Sequence, residues 1–273
     1  MKLLHLMTVA IVGSVQSVTW GQDIRNTFLT SEEFKPVKIE VDIKDSIGTF
    51  TSISNRIFKP PGQGPFPAIV LMHTCGGIQD RHMREHGQEI LKEGYVVVML
   101  DSFGPRGIEN CSRGPVSVAA GIVDAYAALA VLSNQAFVDK SRIFQAGYSW
   151  GGIVATLLAS PQSATVAGST LRFRGTVSNY STCIYQKYPF VLKDTDRPVL
   201  MLLGERDEEL SPASCFPLLE EIKSAGAPVQ WHMFPGATHG WDKQGKTGSG
   251  YVYNEATSKE ATKRLFEFIS QNR

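Results

Sequence analysis

The stretch Ile143-Phe-Gln-Ala-Gly-Tyr-Ser-Trp-Gly-Gly-Ile153 decides the reading of this chain. Its first residues are apolar and read as a strand, and the run Ile-Val-Ala-Thr-Leu-Leu-Ala at 153–159 reads as a buried helix. Between them lies Gly147-Tyr148-Ser149-Trp150-Gly151, a G-x-S-x-G elbow. A serine on so sharp a strand-to-helix turn sits in strained backbone geometry, and glycine on either side removes the clashes that side chains would make. The following helix directs its free N–H groups toward the serine oxygen. Ser149 is therefore the candidate nucleophile, and the Trp150 N–H a candidate donor to an oxyanion formed there.

Working outward, residues 68–73 and 95–100 are near-continuous apolar runs, as expected of strands buried on both faces of a parallel sheet. Residues 37–43 alternate apolar and polar, and 49–58 are rich in Thr, Ser, Ile and Phe; together they predict a leading hairpin. Helices are expected over 80–93, 116–132, 212–225 and 255–270, and further strands over 173–178, 198–203 and 229–234. The alternation predicts an α/β protein: a mostly parallel central sheet, helices on both faces and right-handed crossovers. No internal repeat interrupts residues 22–273, which read as one domain. In such sheets the chemistry lies beyond the carboxyl ends of the strands.

A serine hydroxyl needs a base. His239, in the loop Phe234-Pro-Gly-Ala-Thr-His-Gly-Trp241 after the last strand, is the candidate, whereas His232 falls inside that strand. The imidazole needs a carboxylate, and Leu203-Gly-Glu-Arg-Asp-Glu-Glu209 follows the preceding strand. Asp207 is preferred because Gly204 lets the chain turn, with Glu208 and Glu209 as alternatives. The order Ser149, acid, His239 is that of α/β-hydrolases. A second oxyanion donor is expected from His73-Thr-Cys-Gly-Gly77, at Cys75 or Thr74. Arg106, at a strand end, and Tyr148, beside the nucleophile, are candidates for contact with substrate. A rival signal is His82-Met-Arg-Glu-His86, an H-x-x-E-H pattern that would make a zinc peptidase. A third alternative is a non-catalytic binding protein on a hydrolase fold.

The formal net charge is +1, with 27 basic and 26 acidic side chains, which gives no electrostatic case for nucleic acid or an anionic membrane. Residues 1–21 carry one lysine and then an apolar run too short to span a bilayer comfortably; they read as a secretory signal peptide. The expectation is a periplasmic or secreted protein without stable membrane insertion.

The quoted elbow, the loops His73-Thr-Cys-Gly-Gly and Asp101-Ser-Phe-Gly-Pro-Arg-Gly, Gly204-Glu-Arg-Asp and Gly236-Ala-Thr-His-Gly together resemble the dienelactone hydrolase family of α/β-hydrolases. The resemblance spans residues 37–271, with the Asp101 loop as its more specific mark. It implies an α/β-hydrolase fold, a triad of Ser149, Asp207 and His239, no metal or organic cofactor, and hydrolysis of a small carboxylic ester or lactone. The chain departs from dienelactone hydrolases proper in having Ser149 where they use cysteine and no acid in the 73–77 loop, so no expectation attaches to dienelactone itself. Sequence alone allows three pairings of the four cysteines; the strand order that the resemblance implies leads to the expectation of bridges Cys75–Cys111 and Cys183–Cys215.

Overall fold

The apolar runs either side of the elbow form the centre of the sheet, β3 (Phe66–Met72) beside β5 (Val138–Tyr148). The computed structural model describes residues 35–47, 52–111, 116–182, 193–245 and 250–273; the expected signal peptide at 1–21 lies outside them. Around the centre lie β1 (Glu40–Lys44), β2 (Arg56–Phe58), β4 (Val96–Leu100), β6 (Thr176–Asn179), β7 (Val199–Gly204) and β8 (Val229–Phe234). The spatial order is β1-β2-β4-β3-β5-β6-β7-β8. From β4 to β8 every neighbouring pair is parallel, and β2 runs antiparallel to β4.

The expected leading hairpin is corrected: β1 pairs with β2 in parallel. A hairpin would need the chain to reverse directly after β1. Instead Ile47 and Ile53, in the connecting segment, are buried in the same cluster as Ile69, Leu71 and Met99.

Side chains alternate across β3. Ala68, Val70 and Met72 join one core cluster, while Ile69 and Leu71 join the other. The first cluster is closed by α2 (Val118–Ser133), α3 (Trp150–Leu158), α4 (Pro161–Val166) and α5 (Phe216–Ser224), the second by α1 (Arg81–Lys92) and α6 (Glu255–Gln271). Each fully buried aliphatic side chain in these layers contributes about 1.5–3 kcal/mol. The helices expected from sequence are present; the one expected over 212–225 divides into a 3-10 turn at Pro212–Ser214 and α5.

The sheet's connectivity positions the site. The chain proceeds from β3 outward to β4, then returns to β5 on the other side of β3. Loops after β3 and β5 therefore leave in opposite senses and open a crevice at their carboxyl ends.

Candidate active site

Ser149 follows β5 at φ 52° and ψ −112°, left-handed backbone in a residue that carries a side chain. Such geometry costs on the order of 1–3 kcal/mol and persists only where the surroundings impose it. Two glycines show how they do. A Cβ on Gly147 would lie 1.9 Å from Gly151 O, and one on Gly151 would lie 2.7 Å from His73 O. The elbow thus closes on itself and against the end of β3, and the Gly151 N–H donates to His73 O at 3.1 Å.

The partners arrive from the two neighbouring loops. Gly204, at the end of β7, lets the loop after β8 approach closely, since a Cβ there would lie 2.7 Å from Ala237 O. Arg206 N also donates to Ala237 O, at 2.8 Å. His239 Nε2 lies 2.9 Å from Ser149 Oγ, and His239 Nδ1 lies 2.8 Å from Asp207 Oδ2. The other oxygen, Asp207 Oδ1, accepts the Glu209 N–H at 3.0 Å and the Leu210 N–H at 2.8 Å. All three side chains are buried. Of the three acids considered, Asp207 is the one on Nδ1; Glu209 stands on the opposite side of the ring, its Oε1 4.0 Å from Nε2. No contact of Glu208 with the imidazole is seen among the described residues.

The loop after β3 faces the serine across a pocket of about 540 Å³ lined by Thr74, Cys75, Gly76, Ser149, His239 and others. Gly76 N donates to Thr74 Oγ1 and Gly77 N to Thr74 O, so Cys75 supplies the loop N–H not committed to Thr74. The Trp150 N–H opens α3 and has no acceptor within its own helix. Cys75 is bridged to Cys111 with a Cα–Cα separation of 5.0 Å, as expected. The second expected bridge involves Cys183, which lies outside the described residues.

His73 anchors this loop. Its Nδ1 donates to Thr74 O at 2.7 Å while Nε2 accepts the Ser102 N–H at 3.2 Å, which fixes one neutral tautomer. Burial lowers its pKa, consistent with that state. Its ring stacks on Trp150 at 5.5 Å and meets Phe103 edge-on at 4.4 Å.

Two expectations about substrate contact are corrected. Arg106 does not line the pocket. Its guanidinium bonds Asp124 at 2.7 and 3.1 Å, together with Ser102 O and Lys35 O. Asp124 is a fully buried carboxylate on α2, and desolvation makes it the stronger claim on Arg106. Tyr148 is also turned away; its buried ring stacks on His86 at 4.3 Å and tilts against Tyr180 at 5.7 Å. As the last residue of β5 it projects to the α1 side, opposite the face that its neighbour in sequence suggested.

The zinc reading of His82 and His86 is displaced as well. His86 Nε2 donates to Asp242 Oδ2 at 2.7 Å, and Tyr180 O–H donates to the same oxygen at 3.1 Å. Burial pulls the His86 imidazole down, but the Asp242 and Glu89 carboxylates outweigh it and hold it at about 9. That nitrogen is a proton donor in an ion pair and has no lone pair for a metal. His82 does line the pocket, and burial pushes it down to about 4, leaving it neutral. Among the described residues no group of three or more His, Cys, Asp or Glu is placed to hold a metal ion.

Sequence reasoning missed much of the pocket wall: Tyr180, Lys243, Tyr251 and His82. Lys243 is bonded to Asp80. Tyr251 donates to Glu209 Oε2 and packs edge-on against the His239 ring at 5.3 Å. Tyr180 packs edge-on against His239 at 5.2 Å. Short-range patterns carry no signal for these contacts.

The chain is similar to known proteins in both sequence and fold. A protein of Escherichia coli (strain K12) named "Putative carboxymethylenebutenolidase" is 21% identical over 243 residues, 82% of this chain and 87% of its own. A Salmonella typhimurium protein of the same name is 22% identical over 218 residues, 76% of this chain and 78% of its own. Esterase 2 of Thermogutta terrifontis, solved phosphorylated by paraoxon, shares the fold at a TM-score of 0.60 and 19% identity, over 79% of this chain and 87% of that one. The model of the dienelactone hydrolase family matches residues 53–272. That match takes in the elbow, both partner loops and the loop after β3, and the chain belongs to the dienelactone hydrolase family of ester-bond hydrolases.

Proposed function

We propose that the protein cleaves a small carboxylic ester or lactone by acyl transfer to Ser149, with His239 as base and acid and Asp207 as the orienting carboxylate. The observation that carries this reading is the unbroken chain from Ser149 Oγ through His239, at 2.9 and 2.8 Å, to Asp207. As Oγ attacks the carbonyl carbon, Nε2 takes its proton. Asp207 holds the proton on Nδ1 and stabilises the imidazolium, and two backbone N–H groups keep the carboxylate from swinging away. The N–H groups of Trp150 and Cys75 meet the oxyanion. Removing one such donor costs on the order of 10²–10³ in kcat. Nε2–H then protonates the leaving oxygen as the C–O bond breaks. Water gives a proton to Nε2 and attacks the acyl carbonyl, and collapse returns free Ser149 and the carboxylic acid.

Ser149→Ala and His239→Ala should each lower turnover of p-nitrophenyl acetate by roughly 10⁴-fold or more, and Asp207→Asn by roughly 10³–10⁴-fold. Near-full activity in Asp207→Asn, with loss in Glu208→Gln or Glu209→Gln, would move the acid role to that glutamate.

The reading includes export to the periplasm or medium. It is supported by the charge and apolar pattern of residues 1–21 and by the Cys75–Cys111 bridge, a bond that persists in oxidising compartments. Recovery of the mature chain only in the cytoplasmic fraction would overturn it.

A further inference from the structure

Glu209 holds a negative charge beside the atom that moves the proton. Its Oε1 is 4.0 Å from His239 Nε2, and Oε2 is held by the Tyr251 hydroxyl. Tyr251 is itself fixed edge-on against the His239 ring, and burial together with the Glu209 charge raises its pKa, so it stays a donor. The carboxylate is therefore positioned on the pocket side of the catalytic imidazole.

The remaining charges on this wall do not offset it. Lys243 is the one Lys or Arg among the described lining residues, and it is already bonded to Asp80. His82 is neutral. Arg106 is held on Asp124, outside the pocket. With the Lys243 ammonium set against the Asp80 carboxylate that it bonds, the charge left over on the described lining is that of Glu209.

We propose that Glu209 is a charge filter: the pocket accepts esters that are uncharged around the scissile bond and rejects those whose leaving group carries a carboxylate. This rests on Ser149–His239 acyl transfer and adds the substrate class. Nε2 must reach the leaving oxygen to protonate it, so the leaving group passes next to Glu209. A substrate carboxylate about 6 Å from Glu209, at an effective dielectric of about 40 for this half-exposed side chain, is disfavoured about tenfold. The effect is electrostatic and weakens with salt.

The test compares 4-acetoxybenzoate with its methyl ester, in the wild type and in Glu209→Gln. The readout is the ratio of kcat/KM, methyl ester over free acid, so a general loss of activity cancels. The expected ratio is about tenfold larger in the wild type than in Glu209→Gln. Raising salt to about 1 M should narrow the wild-type ratio and leave that of the variant unchanged. A ratio equal in the two proteins, a wild-type ratio insensitive to salt, or a wild-type preference for the free acid would overturn the filter. The salt series needs only the wild type, so it decides the matter even if the variant does not fold. Absence of turnover on both esters, with no fluorophosphonate label on Ser149, would instead sink the hydrolase reading, and the filter with it.

Discussion

Replacing Cys75 and Cys111 together by serine should weaken both the fold and the catalyst. The bridge spans 36 residues of sequence. By the chain-entropy relation, releasing a loop of that size returns about 4 kcal/mol of freedom to the unfolded chain. For a domain of this length that corresponds to a fall in melting temperature on the order of 10 °C. The catalytic effect is separate. Cys75 and Cys111 both line the pocket, and the bridge ties the loop after β3 to the segment after the Asp101 loop. The hydrogen bond from Cys111 N to Cys75 O, 3.1 Å, and the turn from Gly77 N to Thr74 O remain when the sulfurs are gone. The Cys75 N–H is thus loosened and not removed. Turnover should fall about tenfold, below the 10²–10³ that follows loss of a donor, and KM should change little because the donor acts on the oxyanion. Urea unfolding and steady-state kinetics on p-nitrophenyl acetate measure the two effects, with wild type under reductant as a parallel route. An unchanged unfolding midpoint and unchanged kcat would refute the argument that the bridge preorganises this loop.

Two further outcomes are expected. His86 is held at about 9 against an unfolded value of 6.5, so its contribution is complete below about pH 6.5 and lost as pH rises through about 9. The stability gap between wild type and Asp242→Asn should therefore shrink by about 3 kcal/mol over that interval; a gap independent of pH in thermal melts would remove the ion pair from the account. Arg106→Ala leaves Asp124 buried without its cation and should cost about 3–5 kcal/mol in urea unfolding, without altering the ratio of kcat/KM between the methyl ester and 4-acetoxybenzoate. Loss of turnover on the free acid with no loss of stability would return Arg106 to the substrate.

What the sequence made legible depended on how local the cause was. The elbow needs glycine at Gly147 and Gly151 because of clashes within a few residues of chain, and the same sterics appear in the structure. The central strands are buried on both faces, so apolar continuity marks them. His239 and Asp207 follow strands, and strand ends in a parallel sheet share one edge. The direction of β1 was not legible, because Ile47 and Ile53 read equally as inward residues of a hairpin. Arg106 and Tyr148 were misplaced for a related reason. Position at a strand end says nothing of which buried charge or ring claims the side chain. Asp124 offered a signal: it is the one charged residue in Val118–Ser133, and a lone carboxylate in an apolar helix requires a cation. The His86–Asp242–Tyr180 cluster joins residues as far apart as 156 in sequence and left no local trace.

The central claim is that Ser149 is the atom acylated. Treating the folded protein with a fluorophosphonate and mapping the modified peptide tests it directly. The account predicts one stoichiometric adduct, on Ser149, abolished in Ser149→Ala and strongly slowed in His239→Ala. An active enzyme that stays unlabelled, or that is labelled on another residue while Ser149→Ala keeps its turnover, would contradict it.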